Sequence, residues 1–287
     1  MPASRVSSVL ITGCSSGIGR ATAEHLAGRG LTVFASARRI EDIAGLEARG
    51  CRLLALDVTD EGSMRTAVAA VEAATGAVGT LVNNAGYSQS GAIESVSIED
   101  VRRQFETNVF GLVRMCQLVL PGMRRERGGR IVNLSSMGGR FTFPGGGYYH
   151  ATKHAVEAIS DALRFEVRGF GVDVVIVEPG LIRTRFGETA ASSVGTARDD
   201  DGPYAGFESE VARASRDVYE KGPLARLGGP PEAVARVIAK ALAAERPKAR
   251  YTVTASARAL IATRAVLGDR AWDRMLRNQF PEPGARS

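Results

Sequence analysis

Seven short runs rich in aliphatic and β-branched residues recur along the chain: SVLITG from Ser8, LTVFASA from Leu31, RLLALDV from Arg52, GTLVNNAG from Gly79, GRIVNLSS from Gly129, VDVVIVEPG from Val172 and RYTVTAS from Arg250. Their apolar positions are successive rather than alternate, as in strands covered on both faces of a parallel sheet. Between them the apolar positions repeat with a helical period, over 20–29, 61–75, 98–125, 151–168 and 231–245. This alternation predicts an α/β fold: a doubly wound, seven-stranded parallel sheet with helices on both faces and right-handed crossovers. One stretch departs from it. Residues 185–228 show no strand pattern, and so form either a lid over a site or a plain surface loop. A helical extension, 256–287, follows the last strand. No repeat of solenoid type and no linker divides the 287 residues, so one domain over 1–287 is expected.

Composition narrows the class. Hydrophobic residues make up 44% and charged residues 24%, as in an ordinary soluble globular protein. The net charge of +6 suits either solubility and anionic small molecules or nucleic acid. The arginines are scattered and no stacking-aromatic motif accompanies them, so nucleic acid is not expected. Cys14, Cys51 and Cys116 have neither metal-ligand nor redox spacing, which points to free thiols in a reducing compartment and to no metal. The N-terminus has no signal-peptide pattern, and no apolar run reaches the roughly 20 residues of a membrane span. A cytoplasmic protein is expected.

The first strand runs into TGCSSGIGR, Thr12 to Arg20, with glycines at 13, 17 and 19. This is not the G-x-G-x-x-G of many dinucleotide-binding turns. The physics is the same: glycines permit a sharp turn and close backbone approach to a pyrophosphate, and the next helix offers free N–H groups and its positive end. Further along come NNAG at 83–86, Asn108 in ETNVFG, VNLSS ending at Ser136, Tyr149 and Lys153, EPG at 178–180, and Thr184. In this order and spacing, from about residue 8 to 185, the motifs resemble the short-chain dehydrogenase/reductase family. The resemblance implies a Rossmann fold and an NAD(P)-dependent oxidoreductase acting on CH–OH donors.

A helix turns about 100° per residue. Tyr149 and Lys153, four apart, therefore share a face, whereas Tyr148 lies about 140° from the lysine. The family pattern Y-x-x-x-K agrees. Neighbouring strand residues point to opposite faces, so only one of Ser135 and Ser136 can reach a site; the family's serine-to-tyrosine separation selects Ser136. The resemblance assigns catalysis to Asn108, Ser136, Tyr149 and Lys153. Tyr149 exchanges a proton with the substrate oxygen, Ser136 orients that oxygen, and Asn108 holds a water linking Lys153 to solvent. An ordinary phenol ionises near pH ~10, so exchange near neutrality needs about 3–4 kcal/mol of preferential phenolate stabilisation. Lys153, which also holds the nicotinamide ribose, is expected to supply it together with the oxidised nicotinamide.

The same resemblance places the cofactor against Gly13, Ser15, Ser16, Gly17, Ile18 and Gly19, then Asn84, Ala85 and Gly86, then Tyr149 and Lys153, and finally Pro179, Gly180, Ile182 and Thr184. The second strand ends in Ala37, Arg38 and Arg39. An acidic residue there would accept both adenosine ribose hydroxyls of NAD, whereas a guanidinium suits the 2′-phosphate of NADP. NADP is preferred over NAD on this ground, although Ser16 stands where NADP-preferring relatives often carry a basic residue. Asp57 and Val58 resemble the family's adenine-binding pair, but Asp57 or Asp60 would also serve as a helix cap.

Substrate is less legible. By family position, Tyr87–Gly91, Gly138–Gly147 and 185–225 form the pocket walls and bring Tyr87, Met137, Phe141, Phe143 and Phe186, with Arg140 and Arg185 as the main charges. Such walls suit a small lipophilic secondary alcohol, ketone or aldehyde, unless these aromatics are core or lid packing. The tail, with Leu260, Ile261, Trp272, Leu276 and Phe280, resembles the hydroxysteroid- and retinol-dehydrogenase-like branch. It could cover the pocket, join subunits or lie on a membrane, and packing on its own protein is the default for an apolar stripe. A homodimer or homotetramer is expected. The alternatives are a ketoreductase of 3-oxoacyl thioesters and a non-catalytic NADP-sensing protein.

Overall fold

The structure is a computed structural model that describes residues 8–194, 202–220 and 225–284. Most of the ARDDDGP stretch and the last three residues of the extension lie outside the described residues. All seven expected strands form: β1 Ser8–Ile11, β2 Thr32–Ala37, β3 Arg52–Ala55, β4 Thr80–Asn83, β5 Gly129–Leu134, β6 Val172–Pro179 and β7 Arg250–Val253. They pair in parallel in the order β3-β2-β1-β4-β5-β6-β7. The chain winds outward from β1 to β3, then returns to start β4 on the other side of β1. A crevice opens outside the carboxyl ends of strands at such a reversal.

The expectation that every strand is covered on both faces holds in the centre and fails at the edges. β1, β4 and β5 are buried throughout, whereas β3 exposes Arg52 and Ala55 and β7 is half-open over most of its length. An edge strand has a neighbour on one side only. Arg52 uses this position to lay its guanidinium 5.3 Å from the Phe34 ring centroid.

Among the described residues there are ten α-helices. The first is α1, Gly17–Ala27, and α2 spans Glu61–Thr75, where Asp60 caps the helix by accepting the Ser63 N–H. The pattern over 98–125 resolves into α3 Ile98–Phe105, a π turn Glu106–Phe110 and α4 Gly111–Arg125. The π turn contains Asn108, and such single-turn bulges gather at functional sites. The longest helix is α5, Gly147–Val167. Phe186–Val194 (α6) and Ala205–Glu220 (α7) occupy the strandless segment. Then come α8 Pro231–Ala243, α9 Ala255–Val266 and α10 Asp269–Arg277. A 3₁₀ segment, Ile40–Arg49, had no counterpart in the expected helices.

Two cores flank the sheet. Leu26 of α1 and Val234 and Ile238 of α8 pack on one face; Met64 of α2, Met115 and Val119 of α4 and Val156 of α5 pack on the other. The tail folds back on its own protein. Trp272 of α10 is buried against Phe141 and Phe143, with ring centroids 5.5 and 6.0 Å away. Among the described residues no helix is long and apolar enough to cross a membrane.

Candidate active site

A cavity of about 1430 Å³ runs across the carboxyl ends of the strands, from β2 past β1 and β4 to the strandless segment. At its β1 end the wall is backbone. Gly13 and Gly17 adopt φ of +74° and +57°, a region open to glycine and costly for other residues. A Cβ on Gly13 would lie 2.9 Å from the Ala85 Cα, and one on Gly19 would lie 2.3 Å from the Gly13 carbonyl oxygen. Asn84 secures the turn from the next strand: its Nδ2 donates to the carbonyls of Thr12 and Gly13, each at 2.9 Å. Ser16 makes no side-chain cap to α1. The first N–H groups of that helix therefore face the cavity without a side-chain acceptor from their own cap. A bare, positive helix end behind glycines fits a pyrophosphate.

Most of the expected cofactor residues lie on this wall. Ser15, Ser16, Gly17 and Ile18 line it with Gly13; Arg38, Asp57 and Val58 line the β2 end; Asn84, Ala85 and Gly86 follow. Pro179, Gly180, Ile182 and Thr184 close the far side. Gly19 and Arg39 are not on the wall. Gly19 is buried behind the turn, where its role is to let Gly13 pass. Arg39 points into solvent and pairs with Asp42 at 2.6 Å. Asp60 takes the capping role, while Asp57 accepts the N–H and hydroxyl of Thr59 and stays on the wall.

Tyr149, Lys153 and Ser136 meet where this wall ends. The Lys153 ammonium lies 5.8 Å from the Tyr149 ring centroid and donates to the Leu134 carbonyl at 2.8 Å. Tyr148 turns away as its helical angle requires, its hydroxyl donating to the Ile93 carbonyl. Ser135 also borders the cavity, but its hydroxyl is buried. Asn108 is wholly buried behind the wall. Its Nδ2 donates to the Tyr87 carbonyl at 2.9 Å and to the Thr152 hydroxyl at 3.1 Å, and its Oδ1 accepts the Tyr87 N–H at 3.0 Å. Both amide hydrogens are thus used, and one Oδ1 lone pair remains.

The charges differ from the simple expectation. Burial pushes the Tyr149 phenol up to about 12, and the hydrogen bond with Ser136 only partly opposes it. Burial pulls Lys153 down to about 8, against the nearby Glu157 carboxylate. The protein's own groups therefore do not supply the expected lowering of the phenol. They leave Tyr149 holding its proton at neutral pH.

Beyond Tyr149 the wall changes to side chains. Tyr87, Met137, Phe143 and Phe186 line it as expected, with Phe186 5.3 Å from the Tyr149 ring. Phe141 does not; it packs under Trp272. Arg140 pairs with buried Glu178 at 3.2 Å and Arg185 reaches the rim. Val211 and Val218 of α7, inside the expected 185–225 wall, and Leu260 of α9 and Phe280 after α10, from the tail expected to cover the pocket or pack elsewhere, complete the wall together with His150, which no motif singles out. Only His150 stood beside a motif, one residue past Tyr149.

The family model for short chain dehydrogenases matches residues 7–194. This chain belongs to that family. It is an oxidoreductase that uses a nicotinamide cofactor on alcohol or carbonyl groups. The dehydrogenase is 37% identical over 245 residues to a 3-ketodihydrosphingosine reductase of Bacteroides thetaiotaomicron, covering 85% of this chain and 87% of the relative. It is 37% identical over 275 residues to an NADPH-dependent 3-dehydrocapnine reductase of Ornithobacterium rhinotracheale, covering 93% and 94%. The solved short-chain dehydrogenase of Streptomyces avermitilis superposes with a TM-score of 0.73 at 33% identity, covering 95% of this chain and 98% of that one.

Proposed function

We propose that this dehydrogenase is an NADPH-dependent reductase of a lipophilic ketone, with Tyr149 as the proton donor. The observation that carries the reading is the meeting of Tyr149, Ser136 and Lys153 at the seam between a backbone-lined groove and an apolar chamber. Reduction at that seam needs a hydride from one side and a proton from the other. The reduced nicotinamide supplies the hydride when bound. Tyr149, held protonated by burial, gives its proton to the substrate oxygen. Ser136 donates a hydrogen bond to the same oxygen. Lys153 has one N–H on Leu134 and two free for the ribose hydroxyls, and its charge favours the phenolate left behind. Asn108 fixes the Tyr87 and α5 walls and keeps one lone pair for a bridging water.

Arg38 supports NADPH over NADH. No acidic side chain ends β2, and the guanidinium lies on the wall where the adenosine ribose would sit. Asp57 and Val58, on the same wall, would hold the adenine. The chamber supports a lipophilic substrate, and α6 and α7 in 185–228 act as its lid. The two reductases above carry names that put the reducible carbonyl at carbon 3, so we assign a 3-keto lipid as the substrate class. Phe110, exposed at the end of the π turn before α4, and Phe165, exposed on α5, are available to a second copy in a homodimer or homotetramer.

The test is NADPH consumption over steroid ketones, retinal, medium-chain ketones, long-chain 3-keto esters and 3-oxoacyl thioesters, with Tyr149→Phe as control. Turnover of the 3-keto esters, lost in the control, is expected. Turnover of thioesters alone would replace the substrate class, and NADPH binding without any turnover would replace the reading by a sensor.

A further inference from the structure

We propose that His150 is a positioning residue for Ser136, holding the turn that aims the serine hydroxyl; this rests on the role of Ser136 proposed above. His150 follows Tyr149 on α5, so its side chain leaves the helix about 100° away and enters the loop 138–146. Its Nδ1 lies 3.0 Å from the Gly138 carbonyl oxygen. A carbonyl can only accept, so Nδ1 carries the hydrogen. The Gly138 N–H in turn donates to Ser136 Oγ at 3.1 Å, and the Gly139 N–H closes the turn on the Ser136 carbonyl at 2.9 Å. Gly138 is therefore pinned at both ends, by the imidazole on its carbonyl and by the catalytic serine on its N–H.

The space for the ring is built. A Cβ on Gly138 would stand 2.4 Å from Nδ1, and one on Gly146 would stand 2.9 Å from Nε2. Two glycines, one at each end of the loop, admit the imidazole between them. The ring also meets Phe143 and Tyr149 edge-on, with centroids 6.2 and 5.7 Å away. Burial holds His150 down to about 4, so at neutral pH the ring is uncharged and has a single N–H to give. That N–H is spent on Gly138.

The consequence for Ser136 is directional. The Gly138 N–H occupies one lone pair of Oγ, which keeps the hydroxyl hydrogen on the cavity side, toward Tyr149 and the reacting oxygen. Without the imidazole the 138–139 peptide is held only by the Gly139 N–H, the backbone at Gly138 can turn, and the adjoining 137–138 peptide, whose N–H fixes Oγ, loses its anchor. Small displacements of this kind reduce the chemical step much more than cofactor binding.

The experiment combines His150→Leu, His150→Asn and Ser136→Ala with methyl 3-oxododecanoate and NADPH as probes. Asparagine carries an N–H as many bonds from Cα as Nδ1; leucine carries none. His150→Leu should lower kcat about tenfold or more with NADPH Kd unchanged, and His150→Asn should restore most of it. In the Ser136→Ala background His150→Leu should cost less than about twofold, because the group it positions is gone. Equal factors in both backgrounds, or no recovery with asparagine, would overturn the proposal. Ser136→Ala at full rate, or wild type inert on the probe, would overturn the reading of the site itself. Ser136→Ala impaired with His150→Leu at full rate would overturn only the positioning role. If His150→Leu does not fold, Gly146→Ala displaces the ring from its other side. Its loss should also vanish on Ser136→Ala, and additivity there would count against the proposal.

Discussion

The two ends of the cavity are made of different material. At the β1–α1 turn the wall is main chain, and what shapes it is the absence of side chains at Gly13, Gly17 and Gly19. At the lid end the wall is Phe143, Phe186, Val211, Leu260 and Phe280, brought from five parts of the chain. A backbone wall is intolerant, because only glycine leaves the peptide bare at positive φ. A side-chain wall is tolerant, because many apolar residues of similar volume fill the same space. The first can serve one constant ligand; the second can be altered to serve many.

The largest effect should come from the seam between them. Tyr149→Phe should lower kcat by about 10²- to 10⁴-fold with NADPH Kd unchanged, while Tyr148→Phe, whose hydroxyl bonds Ile93 elsewhere, should leave kcat within about twofold. Equal losses in steady-state kinetics would show that the seam is misplaced. Next is a pH effect confined to the substrate end. His150 drops from 6.5 to about 4 on folding. Above pH 6.5 both folded and unfolded chains carry it neutral. As pH falls toward 4 only the unfolded chain gains the proton, so about 3 kcal/mol of stability should be lost over that window. Urea titrations of wild type and His150→Asn would check this; parallel curves would mean the ring is open to water.

Arg38→Ala tests the cofactor end. It should weaken NADPH by about 10- to 100-fold and NADH little, read by fluorescence titration. Parallel weakening would remove the 2′-phosphate contact. Gly19→Ala should cost about 1–3 kcal/mol of stability, measured by thermal melting, because its Cβ would press on the Gly13 carbonyl. The smallest effect belongs to the tolerant wall. Phe280→Ala should raise KM for long-chain ketones only about 3- to 10-fold and leave NADPH alone. A collapse of both would break the contrast between the two ends.

The same contrast explains what could be read before folding. The glycine turn, NNAG and Y-x-x-x-K are local, and each states its geometry through residue type and spacing. Arg38 and Arg39 are adjacent and chemically identical, and which one faces the groove depends on where Asp42 comes to rest in the 3₁₀ segment. The apolar period over 98–125 is continuous, so the π turn at Asn108 is invisible to it. Phe141 and Phe143 differ by two positions, yet Trp272 from the far end of the chain stacks on Phe143 and meets Phe141 at a tilt, and only Phe143 lies on the wall. His150 has no signal beyond its place one residue past Tyr149, because its partner Gly138 is reached only across the loop.

Short-range chemistry was enough for the strand–helix alternation, the bare turn and the shared face of Tyr149 and Lys153, since each follows from φ/ψ preference or from the period of one element. Tertiary packing decided the rest. It set the charge state of the phenol, because burial raises its pKa more than the Ser136 hydrogen bond lowers it. It also chose the residues of the chamber, because they share a wall only after α7, α9 and the chain beyond α10 have folded over the sheet.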